Sequence, residues 1–233
     1  MKNIHNTKVL AAQVSQEERI AFYKKTYSHV AGGVFLFLVF EFLFLQSASL
    51  VNFALSMLDG YKWLILLGGF MLVTNYAEST AMKTSDKNVQ YLAYSIYIFA
   101  EAFIFVPLIY MAINATNSFE ILNQAAIVTL GLFTGISSIV FITKKDFSFI
   151  RASLALGFFI AIALVIAGAI FGFNLGLWFS LGMCVLAGGS ILYQTSNMVH
   201  KYSTEDYIPA ALGLFASLML LFWYIIQLFL SRD

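Results

Sequence analysis

Long apolar runs alternate with short polar connections along this chain. A helix needs about 20 apolar residues to cross the roughly 30 Å hydrocarbon layer of a bilayer, and seven runs are of about that length. They cover residues 27–45, 61–81, 89–113, 122–142, 150–171, 175–198 and 208–230. The runs do not alternate polar and apolar positions, so they predict helices and not the strands of an outer-membrane barrel. The pattern predicts an all-α integral membrane protein with seven transmembrane helices, the second having the weakest pattern because Gly60, Asn75 and Glu78 crowd its ends.

The composition excludes a soluble enzyme. Of the 233 residues, 61% are hydrophobic and 11% are charged, and the mean hydropathy is +0.84; soluble domains are about one quarter charged. The formal net charge is +1 and there is no basic stripe, so nucleic acid is not an expected partner. Cys184 is the single cysteine and no Cys/His cluster surrounds it, so we expect neither a disulfide nor a metal or cofactor site.

The basic residues are divided unequally between the two sides of the predicted bundle. Eleven lie on one side and two on the other, which accounts for all 13. The eleven are Lys2, Lys8, Arg19, Lys24, Lys25, Lys83, Lys87, Lys144, Lys145, Arg151 and Lys201, and the two are Lys62 and Arg232. Cytoplasmic loops carry the excess of Lys and Arg. We therefore expect the N-terminus in the cytoplasm and, after seven spans, Asp233 outside.

The chain divides into an N-terminal segment, residues 1–26, and a transmembrane domain, residues 27–233. The segment is polar and shows no apolar stretch with a small-residue cleavage site, so we expect it to be cytoplasmic and expect no removable signal peptide. On a helix, residues 16–27 would bring Ile20, Phe22 and Tyr23 close together beside basic residues, which is typical of a helix in the membrane interface. A solvated lead-in to the first span explains the pattern equally well.

Two acidic residues lie within the predicted spans, and charges at that depth are costly and usually functional. Glu101 lies midway along the third span, and Glu41 lies about two thirds of the way along the first. No Lys or Arg occurs at comparable depth, so we expect each acid to face the bundle interior or a wet cavity. For Glu101, the depth in the membrane favours a role in ion or proton movement over a structural hydrogen bond. For Glu41, which lies nearer the outer interface, the structural role is favoured.

A second polar cluster, residues 193–197, lies near the cytoplasmic end of the sixth span. Gln194 and Asn197 share one helix face, with Ser190 a turn earlier on the same side. This face is a candidate cavity mouth. Hydrogen bonding between helices is an equal alternative.

Motifs of enzyme active sites are missing from the sequence. There is no Gly-x-Ser-x-Gly elbow, His-Glu-x-x-His helix or glycine-rich phosphate loop. No aspartate lies deep in a span, and His5, His29 and His200 all lie near or beyond the interfaces. We therefore do not expect an enzyme.

Four segments together resemble the Bax inhibitor one family of membrane proteins, which has bacterial members. They are RIAFYKKTYSHVAGG (residues 19–33), AEAFIFVPLIY (residues 100–110), TKKDFSFI (residues 143–150) and ILYQTSNMVHKYSTEDYIPAAL (residues 191–212). The similarity of each segment by itself is modest, but the order and spacing of the four segments match the family along most of the chain. The resemblance implies a bacterial inner-membrane protein whose last helix is surrounded by the other six.

The resemblance also implies an activity, from which this sequence departs. It implies a pH-sensitive calcium leak gated by two aspartates on the sixth and seventh helices. The matching positions are Gln194 and Leu218. Glutamine can form hydrogen bonds but does not titrate, and leucine does neither. The pH-dependent gating by an aspartate pair therefore cannot operate here in its usual form. Glu101 and Glu41 are candidates to take over part of this role.

Three functional hypotheses remain open. A leak pathway for calcium or protons is favoured by membrane-buried acids without basic partners. A regulatory protein that restrains a membrane-bound protease complex, as suggested for bacterial relatives, would use the N-terminal segment or the loop at residues 144–146. A transporter of a small solute is weakened because no inverted repeat or pair of broken helices is evident.

The distribution of basic residues predicts that the loop containing Ser148 is cytoplasmic. In a Cys184→Ala background, a cysteine at Ser148 should resist a membrane-impermeant thiol reagent applied to intact cells, whereas a cysteine at Asn117 should react. Comparable labelling at the two sites would overturn this topology.

Overall fold

The computed structural model describes residues 9–231, which are almost entirely helical. The helices are α1 (Gln16–Leu45), α2 (Ala48–Ser56), α3 (Tyr61–Lys83), α4 (Lys87–Thr116), α5 (Glu120–Thr143), α6 (Arg151–Phe171), α7 (Gly176–His200) and α8 (Tyr207–Leu230). Short 3-10 helices lie at Ala11–Gln13 and Ser148–Ile150. Within residues 9–231 the only β pairing is an isolated bridge between Leu10 and Ser203.

The prediction of an all-α integral membrane protein is confirmed. Six helices are long and apolar enough to cross a membrane by themselves: α1, α4, α5, α6, α7 and α8. Helix α3, the second predicted span, reaches that standard only together with α2, to which it is bent by 108°. By length and composition, residues 9–231 thus contain six candidate spans, or seven if this bent pair counts as one.

The short helix α2 was not predicted from the apolar pattern. Its nine residues are too few to cross a bilayer, and Gly60 separates it from α3. Gly60 has a φ of 51°, in the left-handed region that glycine adopts at little cost. The chain therefore turns sharply there, and α2 packs against α1 and α4.

Helix α8 lies at the centre of the bundle. It packs against α1, α3, α4, α5 and α7, and its buried residues lie on every side of the helix axis, as the consecutive residues Ile208, Pro209, Ala210 and Ala211 illustrate. An apolar sequence all round a helix is typical of a buried position. The expected central place of the last helix is confirmed.

Helix α6 lies at the periphery. It packs against α7 and α3, and only Ala161 and Gly168 of its 21 residues are buried. Large apolar side chains such as Phe159 and Ile170 remain exposed in the bundle. In water these surfaces would be strongly unfavourable, so α6 requires a lipid environment.

The helix ends meet at two opposite faces of the bundle. At one face, Lys25 lies over the ring of Tyr207, 3.7 Å from its centroid, joining the starts of α1 and α8. The Lys87 amino group at the start of α4 donates to the Glu205 carbonyl before α8. We call this the lysine-rich face, because nine of the basic residues in residues 9–231 lie there. They are Arg19, Lys24, Lys25, Lys83, Lys87, Lys144, Lys145, Arg151 and Lys201.

The opposite face, which we call the lysine-poor face, contains a single basic residue within residues 9–231. That residue is Lys62, paired with Asp59 at 3.7 Å. The unequal distribution in the sequence is therefore preserved in three dimensions. Lys2, Lys8, Arg232 and Asp233 lie outside the described residues.

The N-terminal residues 16–27 form the beginning of α1, continuous with the first span. Ser15 caps this helix in a capping box with Glu18. Phe22 and Thr26 are buried, and Tyr23 packs edge-on against Phe141 of α5 with ring centroids 5.2 Å apart. One side of this segment thus contacts the bundle.

Gly33 provides a close crossing of α1 over α4 and α8. A Cβ atom at Gly33 would lie 2.9 Å from Cζ of Tyr94 and 3.2 Å from a ring carbon of Phe215. Gly33→Ala should therefore lower the free energy of unfolding by about 1–3 kcal/mol through overpacking, seen as a lower melting temperature in detergent.

Gly32 is the matched control, because a Cβ atom there meets nothing within 4 Å. Gly32→Ala should leave the melting temperature unchanged or raise it, since alanine favours helix. Equal melting temperatures for the Gly33 and Gly32 variants would contradict the close crossing.

Candidate functional site

A cavity of about 800 Å³ enters the bundle from the lysine-poor face. It lies between α3, α4, α6, α7 and α8, with Gly60, Asn174 and Ser231 at helix ends near its mouth. Along α4 it runs from Met111 inward to Glu101, about 15 Å at 1.5 Å per residue. Because Glu101 is the middle of α4, the cavity reaches the centre of the bundle.

Aromatic side chains form much of the cavity wall. Trp63 of α3 and Trp223 of α8 stack with ring centroids 6.1 Å apart, and Phe105 of α4 meets Trp223 edge-on at 4.9 Å. The polar part of the wall includes a hydrogen bond of 3.3 Å from the Ser180 hydroxyl to the Gln227 side-chain oxygen. The cavity is therefore mainly apolar, with a few polar groups at defined places.

Glu101 lies at the inner end of this cavity. It is 6% exposed, and its Oε2 has no hydrogen-bond partner among the described residues. Of the described residues that line the cavity, none other is an Asp, Glu, His, Lys or Arg. A carboxylate without a partner is costly in apolar surroundings, so a proton or another cation would be bound favourably here.

Glu41 is placed differently from Glu101. It is 4% exposed, and neither of its carboxyl oxygens has a hydrogen-bond partner among the described residues. Glu41 is not among the residues that line the cavity, so this cavity does not bring the two acids together. Nor does any group of three His, Cys, Asp or Glu suited to a metal ion occur within residues 9–231.

Three aromatic residues lie between Glu101 and the lysine-rich face. Tyr97 lies one turn before Glu101 on α4 and is buried. Phe215 of α8 packs edge-on against Tyr97 and Tyr94, with ring centroids 6.3 Å and 5.8 Å apart. The Tyr94 hydroxyl donates to the His29 carbonyl of α1 at 3.1 Å. We call these three aromatic residues the aromatic seal, because they fill the interior of the bundle between the cavity and the lysine-rich face.

Glu78 of α3 is a further acid that the sequence analysis did not select. Tyr97 lies within electrostatic range of both Glu101 and Glu78, and Tyr202 beyond α7 lies within range of Glu78. Glu78 is therefore the next acid toward the lysine-rich face. An acid inside the second predicted span could have marked Glu78 as a candidate. In the sequence it was considered only as a residue that weakens the apolar pattern of that span.

The polar residues of α7 face two different helices. Ser190 forms a hydrogen bond of 2.8 Å with Ser217 of α8, and Thr195 forms one of 3.3 Å with Ser137 of α5. The Gln194 side-chain oxygen lies 2.8 Å from where a Cβ atom of Gly213 would be, so Gln194 packs tightly on α8. These contacts match the alternative of hydrogen bonding between helices for Ser190 and Thr195.

Asn197 is the second polar residue that the sequence analysis placed beside Gln194. It is buried, and its Oδ1 has no hydrogen-bond partner among the described residues. Its backbone carbonyl accepts from the backbone N–H groups of Lys201 and Tyr202 as the helix ends. Asn197 therefore lies at the end of α7 on the lysine-rich face, away from the cavity.

Leu218 lies in the hydrophobic core, whereas its neighbour Ser217 contacts α7. Leu218 is buried among apolar side chains. Ser217 donates to the Gly213 carbonyl at 2.9 Å, which leaves its oxygen to accept from Ser190. One residue corresponds to a rotation of about 100° around a helix axis, so the side chain that faces the polar residues of α7 is Ser217. The signal in the sequence was a single hydroxyl within an apolar run.

On the lysine-rich face, the loop between α5 and α6 is fixed to the end of α7. The Ser196 hydroxyl donates to the Asp146 carboxylate at 3.2 Å and accepts from the Phe147 backbone N–H at 2.8 Å. The Ser148 backbone N–H also donates to Asp146 at 2.8 Å, which holds the pKa of this carboxyl below its usual value. Lys144 and Lys145 are exposed beside it.

Comparison with known proteins gives matches along nearly the whole chain. The family described as "Inhibitor of apoptosis-promoting Bax1" matches residues 19–233. The Bax inhibitor 1 of Schizosaccharomyces pombe is 27% identical over 232 residues, which cover 93% of this chain and 79% of the relative. The mouse protein lifeguard 4 is 27% identical over 223 residues, 93% of this chain and 87% of the relative.

A shorter match has a higher identity. An uncharacterized protein of Pseudomonas aeruginosa is 32% identical over 124 residues. The match covers 53% of this chain and 55% of that protein's length.

Aspartates at Gln194 and Ser217 should make the stability depend on pH. Ser217 and Gly213, the α8 residue that Gln194 contacts, are one helical turn apart, so the two carboxylates of Gln194→Asp/Ser217→Asp would repel when both are ionised. The melting temperature of this variant should fall, relative to the native protein, between about pH 5 and pH 8 as both acids deprotonate.

Gln194→Asn/Ser217→Asn is the uncharged control and should show no such trend. Gln194→Asp/Leu218→Asp should be destabilised at every pH in this range, because the second acid enters the hydrophobic core. A stronger pH dependence for the Leu218 variant than for the Ser217 variant would show that Leu218 is the residue facing Gln194.

Proposed function

Since this chain belongs to the Bax inhibitor 1 family, we propose that it provides a leak pathway for calcium or protons across its membrane. The observation that carries the proposal is Glu101, a buried carboxyl with an unpartnered oxygen at the inner end of a cavity. Acids within a membrane that face a cavity are typical of ion and proton pathways. In this proposal the helix bundle forms the pathway, and the Glu101 carboxylate binds the cation within it.

Acids and phenols also occur beyond the cavity, in the direction of the lysine-rich face. From Glu101 the next ionisable groups are Tyr97, then Glu78, then Tyr202 near the lysine-rich face. Carboxylate oxygens are the ligands that calcium prefers, and carboxyl and phenol groups can also pass protons. A cation that leaves Glu101 therefore has polar positions ahead of it.

The aromatic seal explains how such a leak would be kept closed. Phe215 has no exposed surface and lies against Tyr94 and Tyr97. An apolar constriction excludes water and hence ions, so cations would pass only when these rings separate. Opening would require α8 to shift relative to α4.

The same route accounts for a leak that does not use the usual aspartates. Gln194 and Leu218 cannot titrate, whereas Glu101 can exchange a proton with the cavity. Protons and other cations compete for a single carboxylate, so a calcium leak through this site would weaken as the pH falls. We place the pH sensitivity of this chain at Glu101.

A second candidate function is regulation of a membrane-bound protease complex. The observation that favours it is the loop at residues 144–146, which presents two lysines in a conformation fixed by Ser196. A fixed, charged loop is a suitable surface for a protein partner. This role would need neither the cavity nor a titratable residue.

The proposal includes a location and an orientation. We place the chain in the inner membrane of a bacterium, with the lysine-rich face in the cytoplasm, because the excess of basic residues follows the positive-inside rule. The cavity would then open to the outside. We propose no enzymatic activity.

Glu101→Gln should abolish the pH dependence of the leak. Glutamine keeps the size and hydrogen-bonding capacity of Glu101 but carries no titratable proton. In proteoliposomes, calcium flux through the native protein should rise between about pH 6 and pH 8 as the carboxyl loses its proton, while flux through the variant should be low and flat.

Glu41→Gln is the matched control, since it neutralises a buried acid that does not line the cavity, and it should keep the native profile. Glu101→Leu tests whether Glu101 is structural, because it should impair folding more than Glu101→Gln only if the carboxyl has essential hydrogen bonds. Equal pH profiles from the native and Glu101→Gln proteins, both folded, would remove Glu101 from the mechanism and favour the regulatory role.

A further inference from the structure

We propose that the cavity binds a lipophilic organic cation, with the positive group against Glu101 and the apolar groups against Trp63, Phe105 and Trp223. The inference rests on the proposed function, because it takes the same carboxylate as the group that attracts cations. It goes further by naming a class of ligand that is larger than a bare ion.

The volume of the cavity is suited to an organic molecule. About 800 Å³ is within the range of roughly 300–1,000 Å³ that is typical of sites for drug-sized ligands. A proton or a calcium ion needs only a narrow, polar passage. Here the cavity is wide and its wall is mainly apolar, with aromatic side chains from α3, α4 and α8 among the lining residues.

The charge of the site selects for a cation. Glu101 is the only Asp, Glu, His, Lys or Arg among the described residues that line the cavity, and one of its oxygens has no partner among the described residues. Near the mouth, the positive charge of Lys62 is paired with Asp59. The path inward therefore carries no unpaired basic group in the described residues, and an anion would meet an uncompensated carboxylate at its end.

The aromatic wall suits a cation with apolar substituents. Trp63 and Trp223 present stacked rings, 18° from parallel, and Phe105 stands at 85° to Trp223. Tryptophan faces attract cations most strongly among the aromatic side chains, and aromatic cages recognise quaternary ammonium groups. A ligand of this class would form an ion pair with the Glu101 carboxylate. Its apolar substituents would at the same time be buried against the aromatic side chains.

The exposed helix α6 contributes small residues to the wall of the cavity. Gly168 of α6 and Gly172, which follows the helix, line it without side chains, and α6 is the least buried of the six helices that could each span a membrane. A lipophilic cation concentrates in the membrane interface. It could therefore reach the mouth from the outer leaflet as well as from water.

Protons would compete with the organic cation for Glu101. The other titratable groups around Glu101 are phenols, Tyr97 on α4 and Tyr224 on α8, with Glu78 of α3 on the far side of Tyr97. Phenols stay neutral in the physiological range. Binding should accordingly weaken on acidification, and Glu101 should account for the change.

The test uses tetraphenylphosphonium and the full chain in lipid nanodiscs, with empty nanodiscs as the baseline. Trp63 and Trp223 line the cavity, whereas Trp178 is 83% exposed on the outside of the bundle. A Trp178→Phe background therefore restricts tryptophan fluorescence to the cavity. We expect saturable binding at pH 8, with a fluorescence change, and affinity at least about tenfold weaker in Glu101→Gln, since a single charge contact is removed.

Two controls define specificity. Glu41→Gln removes a buried acid outside the cavity and should bind as the native protein does. The uncharged triphenylphosphine oxide should give no saturable signal. Absence of saturable tetraphenylphosphonium binding at pH 8, unchanged affinity in Glu101→Gln, or equal binding of the uncharged compound would each overturn the inference.

Flux measurements on the same protein variants in proteoliposomes separate this inference from the leak pathway. Binding of tetraphenylphosphonium that depends on Glu101, in a protein without calcium or proton flux, would support the organic-cation site and refute the leak. Flux that depends on Glu101, without tetraphenylphosphonium binding, would support the leak and refute the organic-cation site.

Discussion

Every other helix of the bundle packs against α8 or against a helix that contacts α8. This arrangement follows from a constraint that lipid imposes. Backbone polar groups cannot be left unpaired in hydrocarbon, so the spans must be helices. Helices in lipid then associate through close packing, as at Gly33, and through hydrogen bonds such as that between Ser190 and Ser217. The cavity exists where this packing around α8 is incomplete.

The cavity and the aromatic seal divide the interior into two halves with different chemistry. Toward the lysine-poor face, a wide apolar space leads to Glu101. Toward the lysine-rich face, Phe215 and the tyrosines of α4 fill the interior, and hydrogen bonds tie the helix ends and loops together. A carboxyl at the boundary between an open half and a closed half is well placed to respond to a cation or a proton. Glu41 is also buried but does not line this cavity.

Much of the fold could be predicted from the sequence, and so could the identity of the acid that lines the cavity. The length of the apolar runs decided the helices, because the bilayer thickness fixes the length of a span. The asymmetry of Lys and Arg predicted two distinct faces. The depth of Glu101, at a level of the membrane without a basic residue, was enough to indicate that it faces a cavity or the bundle interior. The lengths of the apolar runs, the distribution of charge and the depth of Glu101 can all be read from the order of residues, without knowing how the helices pack.

Other features depended on how the helices pack, and sequence alone could not supply them. Leu218 and Ser217 differ by one position, yet only the rotation of α8 against α7 shows that Ser217 meets Ser190. Glu78 interrupts the apolar pattern of its span, and only its nearness to Tyr97 relates it to Glu101. The aromatic wall draws on α3, α4 and α8, which are far apart in sequence. The sequence by itself determined which segments enter the membrane, because hydrophobicity and charge are local. The tertiary structure decided which side chains share the cavity, because that depends on the rotation and contact of helices distant along the chain.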